Sequence, residues 1–472
     1  MRKSLTLCVR GVSAFALCGL IAGCTVGPNY KKPAVNVPTS FRGLAPEDAR
    51  NNSATSRGDE KWWQVYQDQQ LQALIRTAIE QNYDVRIAGA RVLAAQAQLG
   101  ITRADQYPTV SAGGNLIDQR QPRAPLSPPF EAGFGSLNVS AGWELDFWGK
   151  FRRATEAARA NLVATEWSRQ EVIATLVANV ASAYFQLRAL DLELEISKRT
   201  LDSRQESLRL TNMLANGGST SLLDVRQAEQ LVFTAAAEIP VLEQQIEQQE
   251  NLVSILLGQN PGDVQRGLKL TDQVHPPDVP AGLTSALLER RPDVRAAEQQ
   301  LIAQNAEIGV ARAAYFPSIS LSGEAGFQST ALLSLFSGPA GAWSYGVSAA
   351  QPIFTAGKIR SNVRLAEAQQ QTFLLTYQQT IQGAFRDVSD ALVATRKSKE
   401  FRAQQELLFA SAQDAARLSH MRYNGGVTGY LEVLTNETNA FSAELELVQA
   451  QLNEYLASVQ LYQALGGGWQ QQ

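Results

Sequence analysis

The sequence predicts a mixed helical and β-strand membrane protein that is internally duplicated. Two observations carry this prediction: motifs that recur in nearly constant register, and a hydrophobic period that changes from helical to strand-like and back. The motifs recur at too long an interval for a short solenoid repeat, so one large module is used twice. The recurring pairs are Asp84-Val85-Arg86 with Asp293-Val294-Arg295, and Asn216-Gly217-Gly218 with Asn424-Gly425-Gly426.

The two modules are expected to occupy most of the chain. The first is predicted to span 62–257 and the second 293–465. A linker over 258–292 would join them, and 466–472 would form a C-terminal tail.

The composition excludes several classes of protein. The chain has 472 residues, of which 44% are hydrophobic and 18% charged, and its net charge of −3 gives no basic surface for nucleic acid. Its three cysteines, Cys8, Cys18 and Cys24, lie near the N-terminus, which excludes a disulfide framework or a cysteine-based metal site in the rest of the chain. His275 and His420 lack the spacing of metal ligands, so we expect neither a metal nor a cofactor.

The first 23 residues are predicted to be a lipoprotein signal peptide. Basic residues precede an apolar run, 11–20, that is too short to cross a bilayer. The run ends in Leu20-Ile21-Ala22-Gly23-Cys24, which is similar to a bacterial lipoprotein box, so we expect lipid attachment at Cys24. An ordinary signal peptide with a chance cysteine is the alternative. A Pro-, Asn- and Ser-rich tether over 24–61 would follow, and no later stretch has the continuous apolar length of a transmembrane helix.

Each module is predicted to contain a helix with heptad spacing and a much longer helix. Apolar residues at heptad spacing predict helices over 84–106 and 293–315, and a shorter amphipathic helix is expected over 62–81. Segments 150–216 and 358–424 contain no proline and at most one glycine, so each is predicted to be one continuous helix that ends at Asn-Gly-Gly.

Return helices are predicted over 220–257, with a kink at Pro240, and over 429–465. A Ser or Thr would cap the start of each, with Asp224 or Glu432 in the first turn. A return helix and the shorter heptad helix together match one long helix in length, so we expect these two to stack end to end beside it.

The hydrophobic period changes to two before each long helix. Apolar and polar residues alternate in two regions, which predicts β-hairpins over 108–148 and 317–354, with connections at 118–135 and 329–342. Strands of about ten residues with one apolar and one polar face are typical of transmembrane β-barrels. The alternative is a pair of soluble, half-buried hairpins.

Four strands cannot close a barrel, and open strand edges are not stable in lipid. The chain is therefore expected to assemble with closed symmetry. Two chains would give eight strands around a lumen filled by side chains, whereas three would give twelve strands around an open one. The same trimer would continue as a tube of twelve helical columns.

At this point the chain resembles the TolC-like outer membrane factors of tripartite efflux, in particular their lipoprotein, NodT-type branch. The residues that carry the resemblance are Gly23 to Tyr30, Trp62-Trp63, Arg290-Arg291-Pro292-Asp293-Val294, and Arg422-Tyr423 through Leu434. The resemblance implies a homotrimer with a 12-stranded β-barrel, a 12-helix periplasmic α-barrel and a belt built from segments near 62–81 and 258–292. It also implies an outer-membrane location in a Gram-negative-type bacterium, since Thr25 replaces the aspartate that often retains lipoproteins in the inner membrane. A periplasmic membrane-fusion adaptor and an inner-membrane pump of the RND type would be its partners.

The resemblance also implies a periplasmic gate at the start of the second return helix. The matching positions are Leu431, Glu432 and Thr435, and Thr435 stands where a carboxylate is common. Arg422 and Tyr423 would hold the closed state, while Leu214 and Ala215 replace them in the first module. The alternative is that Glu432 is only a helix-start carboxylate and Leu431 only a packing residue.

The turns between the helices are the expected adaptor contacts, with simple helix capping as the alternative. They comprise Gly217, Gly218 and Ser219 in the first module and Gly425, Gly426 and Val427 in the second.

An enzyme is not expected. Gly149-Lys150 and Gly357-Lys358 resemble part of a phosphate-binding loop, but the required hydroxyl residue is replaced by Phe151 and Ile359. A lipid-anchored periplasmic coiled-coil scaffold would explain the helices but not the strands. The remaining alternative is a duct of the same architecture for protein secretion, and the lipoprotein box favours efflux of small toxic compounds over it.

Overall fold

The computed structural model describes residues 25–42, 66–121, 130–274, 284–330 and 334–467. Two compact units share the chain. The first draws its described residues from Met1–Ala34, Arg91–Thr165 and Ala296–Tyr377, and the second from Val35–Ala90, Glu166–Arg295 and Gln378–Gln472. Cys24, Trp62 and Trp63 lie outside the described residues.

The described residues form long helices and one small sheet. The helices are α1 (Gln69–Gln81), α2 (Tyr83–Ala104), α3 (Lys150–Asn216), α4 (Leu222–Leu256), α5 (Thr284–Arg290), α6 (Pro292–Ala313), α7 (Lys358–Asn424) and α8 (Tyr430–Ala464). The strands are β1 (Thr109–Gln121), β2 (Phe130–Leu145), β3 (Ser318–Ser329) and β4 (Gly341–Ala350).

The first unit contains a four-stranded antiparallel sheet in the order β1-β2-β3-β4. The two predicted hairpins therefore pair through β2 and β3 into one sheet. β1 and β2 are longer than expected, since Gln121 and Phe130 still pair within the predicted connection 118–135. Backbone pairing continues in this segment although apolar and polar side chains no longer alternate clearly there. The alternation therefore predicted strand ends that lie too far from the connection between the two strands.

The two faces of this sheet differ in polarity. Leu137, Val139 and Trp143 of β2 oppose Phe327, Ala325 and Leu321 of β3, and the apolar row continues to Trp343 and Val347 of β4. Leu321 is half-buried, and the other large side chains of this row are exposed, from 38% for Trp143 to 73% for Trp343. On the other face Ser111 and Ser140 are hydrogen-bonded at 2.8 Å, and Asn138 donates to Glu324. An exposed apolar face opposite a polar one indicates that lipid or another protein covers the first.

The long helices α3 and α7 each have 67 residues and are unbroken, as the sequence predicts. An 18-residue window of α3 is apolar enough to cross a membrane by length and composition, but 72% of that window is buried within the protein. Among the described residues, α3 therefore has the character of a core helix rather than of a membrane span. Pro240 lies inside α4, which continues past it to Leu256.

The main hydrophobic core lies in the second unit. Five of the described helices contribute to it, and its centre is aromatic: Phe185 of α3 stacks on Tyr455 of α8 with ring centroids 5.0 Å apart. Tyr66 meets Phe185 edge-on at the same distance. Aromatic pairs of this kind add about 0.5–1.5 kcal/mol beyond the area that they bury.

Helix α1 begins at Gln69 rather than at Trp62 as the sequence suggested. Asp68 is its N-cap and accepts hydrogen bonds from the amides of Gln70 and Leu71 at 2.9 and 3.2 Å. The cap requires an extended backbone at Asp68, and the described residues before the helix, Tyr66, Gln67 and Asp68, lie outside it.

The same carboxylate joins α1 to the rest of the second unit. Asp68 is 1% exposed, and its Oδ2 accepts from the Tyr184 hydroxyl at 2.6 Å, the Gln273 amide at 2.7 Å and the Leu268 backbone at 3.0 Å. Gly267 lies so close that a Cβ there would stand 2.2 Å from Asp68 Oδ1. Burial alone would raise the pKa of Asp68, but these hydrogen bonds outweigh burial and hold that pKa below its usual value.

Helices of the second unit meet end to end at two equivalent places. Asn82 caps the first turn of α2 and donates from its side chain to the Leu256 carbonyl at the end of α4, 2.9 Å away. Arg291, just before α6, donates to the Ala464 carbonyl at the end of α8 at 3.3 Å. Both contacts satisfy a terminal carbonyl that the helix leaves without a partner. Both contacts join the end of a return helix to the residue that precedes or begins a heptad helix, within the second unit.

The described start of the N-terminal tether is bound rather than free. Val26 donates to the Trp148 carbonyl at 3.0 Å, and Asn29 accepts from Arg153 at 2.6 Å. Gly27 has a φ of +104°, and a Cβ there would stand 2.5 Å from the Cα of Gly309 on α6. Glycine is thus required by both the backbone conformation and the close approach.

We expect Asp68→Ala to lower thermal stability strongly. Asp68→Asn should lower it less, because asparagine keeps the shape of the side chain and one acceptor oxygen. Loss of the cap costs about 0.5–2 kcal/mol, and each buried donor left unpaired adds about 1–3 kcal/mol. Because the pKa of Asp68 is lowered, its contribution is present above the ordinary aspartate pKa and is lost as pH falls through the native value. Thermal melts followed by circular dichroism from neutral to acid pH measure the stability of each variant. Equal melting temperatures of both variants and the unchanged chain would contradict the prediction.

Candidate functional site at the helix-hairpin tips

The turns that join α3 to α4 and α7 to α8 have the same geometry. Each long helix ends at asparagine, and the second glycine of each turn takes a left-handed conformation, with φ of +73° at Gly218 and +70° at Gly426. Neither glycine has an atom within 4 Å of its would-be Cβ, so backbone conformation rather than space requires glycine. These turns are exposed, as are Gly217, Ser219, Gly425 and Val427 within them.

The first return helix begins with a capping box. Ser221 accepts from the Asp224 amide at 3.3 Å, and Asp224 accepts from the Ser221 amide at 3.2 Å. Thr220 also donates to the Asp224 carboxylate, and this hydrogen bond is the main reason why the pKa of Asp224 is lowered. The first tip is thus fixed by its own side chains.

The second return helix lacks this cap, which corrects the prediction of a Ser or Thr there. Its N-cap is Gly429, which has no side chain to offer, and Thr428 instead donates to Glu432 Oε2 at 2.5 Å. The second carboxylate oxygen of Glu432 accepts from Arg422 Nε of α7 at 2.9 Å. Both oxygens of Glu432 are therefore occupied within its own hairpin.

The Arg422–Glu432 pair ties the two helices of the second hairpin together. Its side chains are 55% and 35% exposed, so water screens their attraction. Pairs of this kind contribute about 0.2–1 kcal/mol. The pair is therefore weak enough to exchange for another partner.

Tyr423 connects the second hairpin to the first. Its ring meets Tyr430 edge-on at 5.2 Å, and its hydroxyl lies 3.5 Å from the Thr220 hydroxyl. Leu208 and Ala228 of the first hairpin pack in the same cluster. Leu214 and Ala215, the first module's equivalents of Arg422 and Tyr423, have no hydroxyl or charge with which to make such contacts.

Leu431 and Thr435 lie apart from this group. Both are exposed, Leu431 to 60%, and the Thr435 hydroxyl donates to the Leu431 carbonyl at 2.9 Å. The structure thus brings Arg422, Tyr423 and Glu432 together and leaves Leu431 and Thr435 on an open helix face.

Thr220 and Tyr430 belong to the site but were missed from the sequence. The recurrence of Thr220 as Thr428 at equivalent positions was the available signal. Tyr430 gave none, because its burial depends on contacts between different helices. In the described part of the chain, no group of three or more His, Cys, Asp or Glu side chains is placed to hold a metal.

Comparison with known proteins identifies the family. The model of the outer membrane efflux protein family matches residues 74–259 and 283–467. A probable efflux pump outer membrane protein of Pseudomonas putida, TtgC, is 37% identical over 461 residues, which is 96% of this chain and 94% of the relative. The cation efflux system protein CusC of Escherichia coli O157:H7 is 33% identical over 457 residues, or 97% and 98% of the two chains.

Solved structures agree with these sequence matches. The open state of the Neisseria gonorrhoeae MtrE outer membrane channel superposes with a TM-score of 0.85 at 33% identity, covering 94% of this chain and 99% of MtrE. The outer-membrane channel OprN gives 0.84 at 30% identity, covering 94% and 100%. These relatives are named as efflux or channel proteins and not as enzymes. The helices and sheet described above, together with these matches along nearly the full chain, show that the protein belongs to the outer membrane efflux protein family.

Proposed function

We propose that the chain is the outer-membrane exit duct of a tripartite efflux system, and that it conducts small toxic compounds passively as a homotrimer. The observation that carries this proposal is the sheet, whose exposed apolar face lies opposite a face of Ser, Asn and Glu side chains. A protein that only scaffolded periplasmic partners would have no use for such a sheet. A wetted lumen on one side and lipid on the other would account for both faces.

The edges of the sheet support assembly of several chains. β1 and β4 each pair on one side only among the described strands, and β4 is exposed along its length. Free strand edges are not tolerated in lipid, so β1 of one chain would pair with β4 of the next. Three chains give twelve strands and an open lumen, whereas two give a barrel filled with side chains.

The partners follow from the family and from the exposed tips. A periplasmic membrane-fusion adaptor would contact the turns at Gly217–Ser219 and Gly425–Val427, and an inner-membrane pump of the RND type would supply the energy. The named relatives serve an efflux pump and a cation efflux system, which favours efflux over the alternative of protein secretion.

The gate would lie at the tips. Arg422 and Glu432 hold the second hairpin closed on itself, and Tyr423 holds it against Thr220 of the first. Since these contacts are few and solvent-screened, an adaptor could exchange them at small cost. Leu431 and Thr435, on the open face, would then line the constriction of the trimer.

The lipid anchor would be Cys24. The adjacent chain, from Val26 to Asn29, is held against Trp148 and Arg153. An acylated Cys24 would therefore sit beside the end of β2, where strands meet helices and where the boundary of the membrane is expected.

The transmembrane assignment is tested by Val139→Arg, with Ser140→Arg on the opposite face as the matched control. An arginine on the lipid face costs about 2–4 kcal/mol near the bilayer midplane. We expect Val139→Arg to reduce SDS-resistant trimer in outer-membrane fractions and Ser140→Arg to leave it intact while changing conductance. Equal effects of the two variants, or a water-soluble monomer, would refute the assignment.

The gate is tested by Arg422→Ala and Tyr423→Phe in planar lipid bilayers. We expect both to raise resting conductance several-fold, because each removes a contact that holds the second hairpin. Arg417→Ala is the control, since Arg417 pairs with Asp414 on its own helix at 2.7 Å and this pair does not connect two helices. Unchanged conductance in the first two variants would remove the gate from these residues.

Lipid attachment is tested by Cys24→Ser. We expect labelled palmitate to be incorporated into the unchanged chain and lost from the variant, because the serine hydroxyl does not replace the thiol in acyl transfer to lipoproteins. Labelling of the variant would show that the anchor lies elsewhere.

A further inference from the structure

A polar cluster lies beside the tip contacts and is used by none of them. His420 of α7 and Glu437 of α8 are hydrogen-bonded, with His420 Nε2 2.6 Å from Glu437 Oε1. The Glu437 side chain is 13% exposed and that of His420 37%. A carboxylate this far from water needs compensating charge or hydrogen bonds.

Arg204 of α3 brings the first hairpin into the cluster. It is 3% exposed, donates to the Leu231 carbonyl of α4 at 3.0 Å and lies over the Phe441 ring of α8 at 4.9 Å. Its positive charge also interacts electrostatically with Glu437. Arg204 therefore touches both hairpins, and Glu437 is hydrogen-bonded to His420 of α7 while the charge of Arg204 of α3 also acts on it.

The cluster is incompletely hydrogen-bonded. Glu437 Oε2, Arg204 Nε and the hydroxyl of Tyr430, which is 2% exposed, have no hydrogen-bond partner among the described residues. Buried polar groups without a hydrogen-bond partner make the stability of a site sensitive to the charges around it. The charge on His420 is the variable one, because histidine is the side chain that ordinarily titrates near neutral pH.

We propose that His420 and Glu437 form a proton-dependent clasp that holds α7 to α8 and keeps Glu437 in place against Arg204. Tyr423, three residues after His420, makes the contact with Thr220, so loosening the clasp would free the second hairpin at its tip. His420 is thus a positioning residue for the gate, and this role rests on the proposed duct function.

The direction of the pH effect follows from the charges that face the pair. The hydrogen bond to Glu437 raises the pKa of His420 above its usual value, against the opposing effect of burial. Two further groups act on Glu437 or are acted on by it: Arg204 of α3, whose charge interacts with Glu437, and Tyr430 of α8, next to which Tyr423 of α7 and Asp224 of α4 also lie. A raised histidine pKa means that the clasp is fully formed below the ordinary histidine pKa and is lost as pH rises through the native value. If His420 binds its proton tenfold more tightly in the held hairpin, protonation favours the held hairpin by about the same factor.

The experiment is hydrogen–deuterium exchange of the full-length protein between pH 5.5 and 8.5, corrected for intrinsic exchange rates. We expect uptake in 412–440 to rise with pH in the unchanged chain. His420→Gln should show high uptake at every pH, and His420→Arg, which keeps the charge, should show low uptake at every pH. Uptake in 173–196 of α3, which belongs to the main hydrophobic core and makes no contact with the clasp, provides the internal control.

Retention of the pH dependence in His420→Gln would overturn the proposal, as would identical exchange in the Gln and Arg variants. Bilayer conductance measured over the same pH range separates this inference from the duct function. A pH-dependent exchange without any channel current would keep the clasp and refute the duct, whereas current with pH-independent exchange would do the reverse.

Discussion

Backbone hydrogen bonding at the strand edges constrains this molecule more than any other interaction. The chain supplies four strands that pair in sequence order, and its outer strands β1 and β4 each have one edge unpaired within the described sheet. Their apolar side chains, among them Val110 and Tyr345, are exposed to 69% and 81%. In lipid, an unpaired amide or carbonyl costs several kcal/mol, so the sheet is compatible with a membrane only when its edges close on other copies. If the sheet spans a membrane, as proposed, its strands would therefore require assembly with other copies.

In the second unit several helix ends lie close together, and their polar groups need hydrogen-bond partners. One oxygen of Asp68 accepts three hydrogen bonds. Asn82 and Arg291 each donate to a carbonyl at the end of a neighbouring helix. Asp68 accepts from Tyr184 of the aromatic core, where an unpaired donor would be costly. The irregular segments between helices are thus fixed by buried hydrogen bonds, which the repeated helices themselves do not supply.

Duplication has produced two tips with the same backbone and different side-chain chemistry. The first is closed by a capping box at Ser221, and the second by an exposed ion pair, Arg422 with Glu432. A capping box satisfies backbone donors that have no other partner, whereas a screened ion pair can be exchanged for another. In the proposed gate, this difference would make the second hairpin the more movable of the two, and the cluster of His420, Glu437 and Arg204 would add a charge-dependent contact beside it.

The sequence by itself determined the elements whose signal is periodic. The bounds of α3 and α7 follow from the absence of breakers and the Asn-Gly-Gly stops, and the alternation in β2 and β3 shows which face of the sheet is apolar. Only the tertiary structure decided the start of α1, the contact of Tyr423 with Thr220 and the pairing of His420 with Glu437. The cap at Asp68 is local, but Tyr184 and Gln273 from distant parts of the chain hold its carboxylate in place. The other two contacts depend on side chains of different helices that meet only after packing, whereas periodicity acts between residues close in the chain.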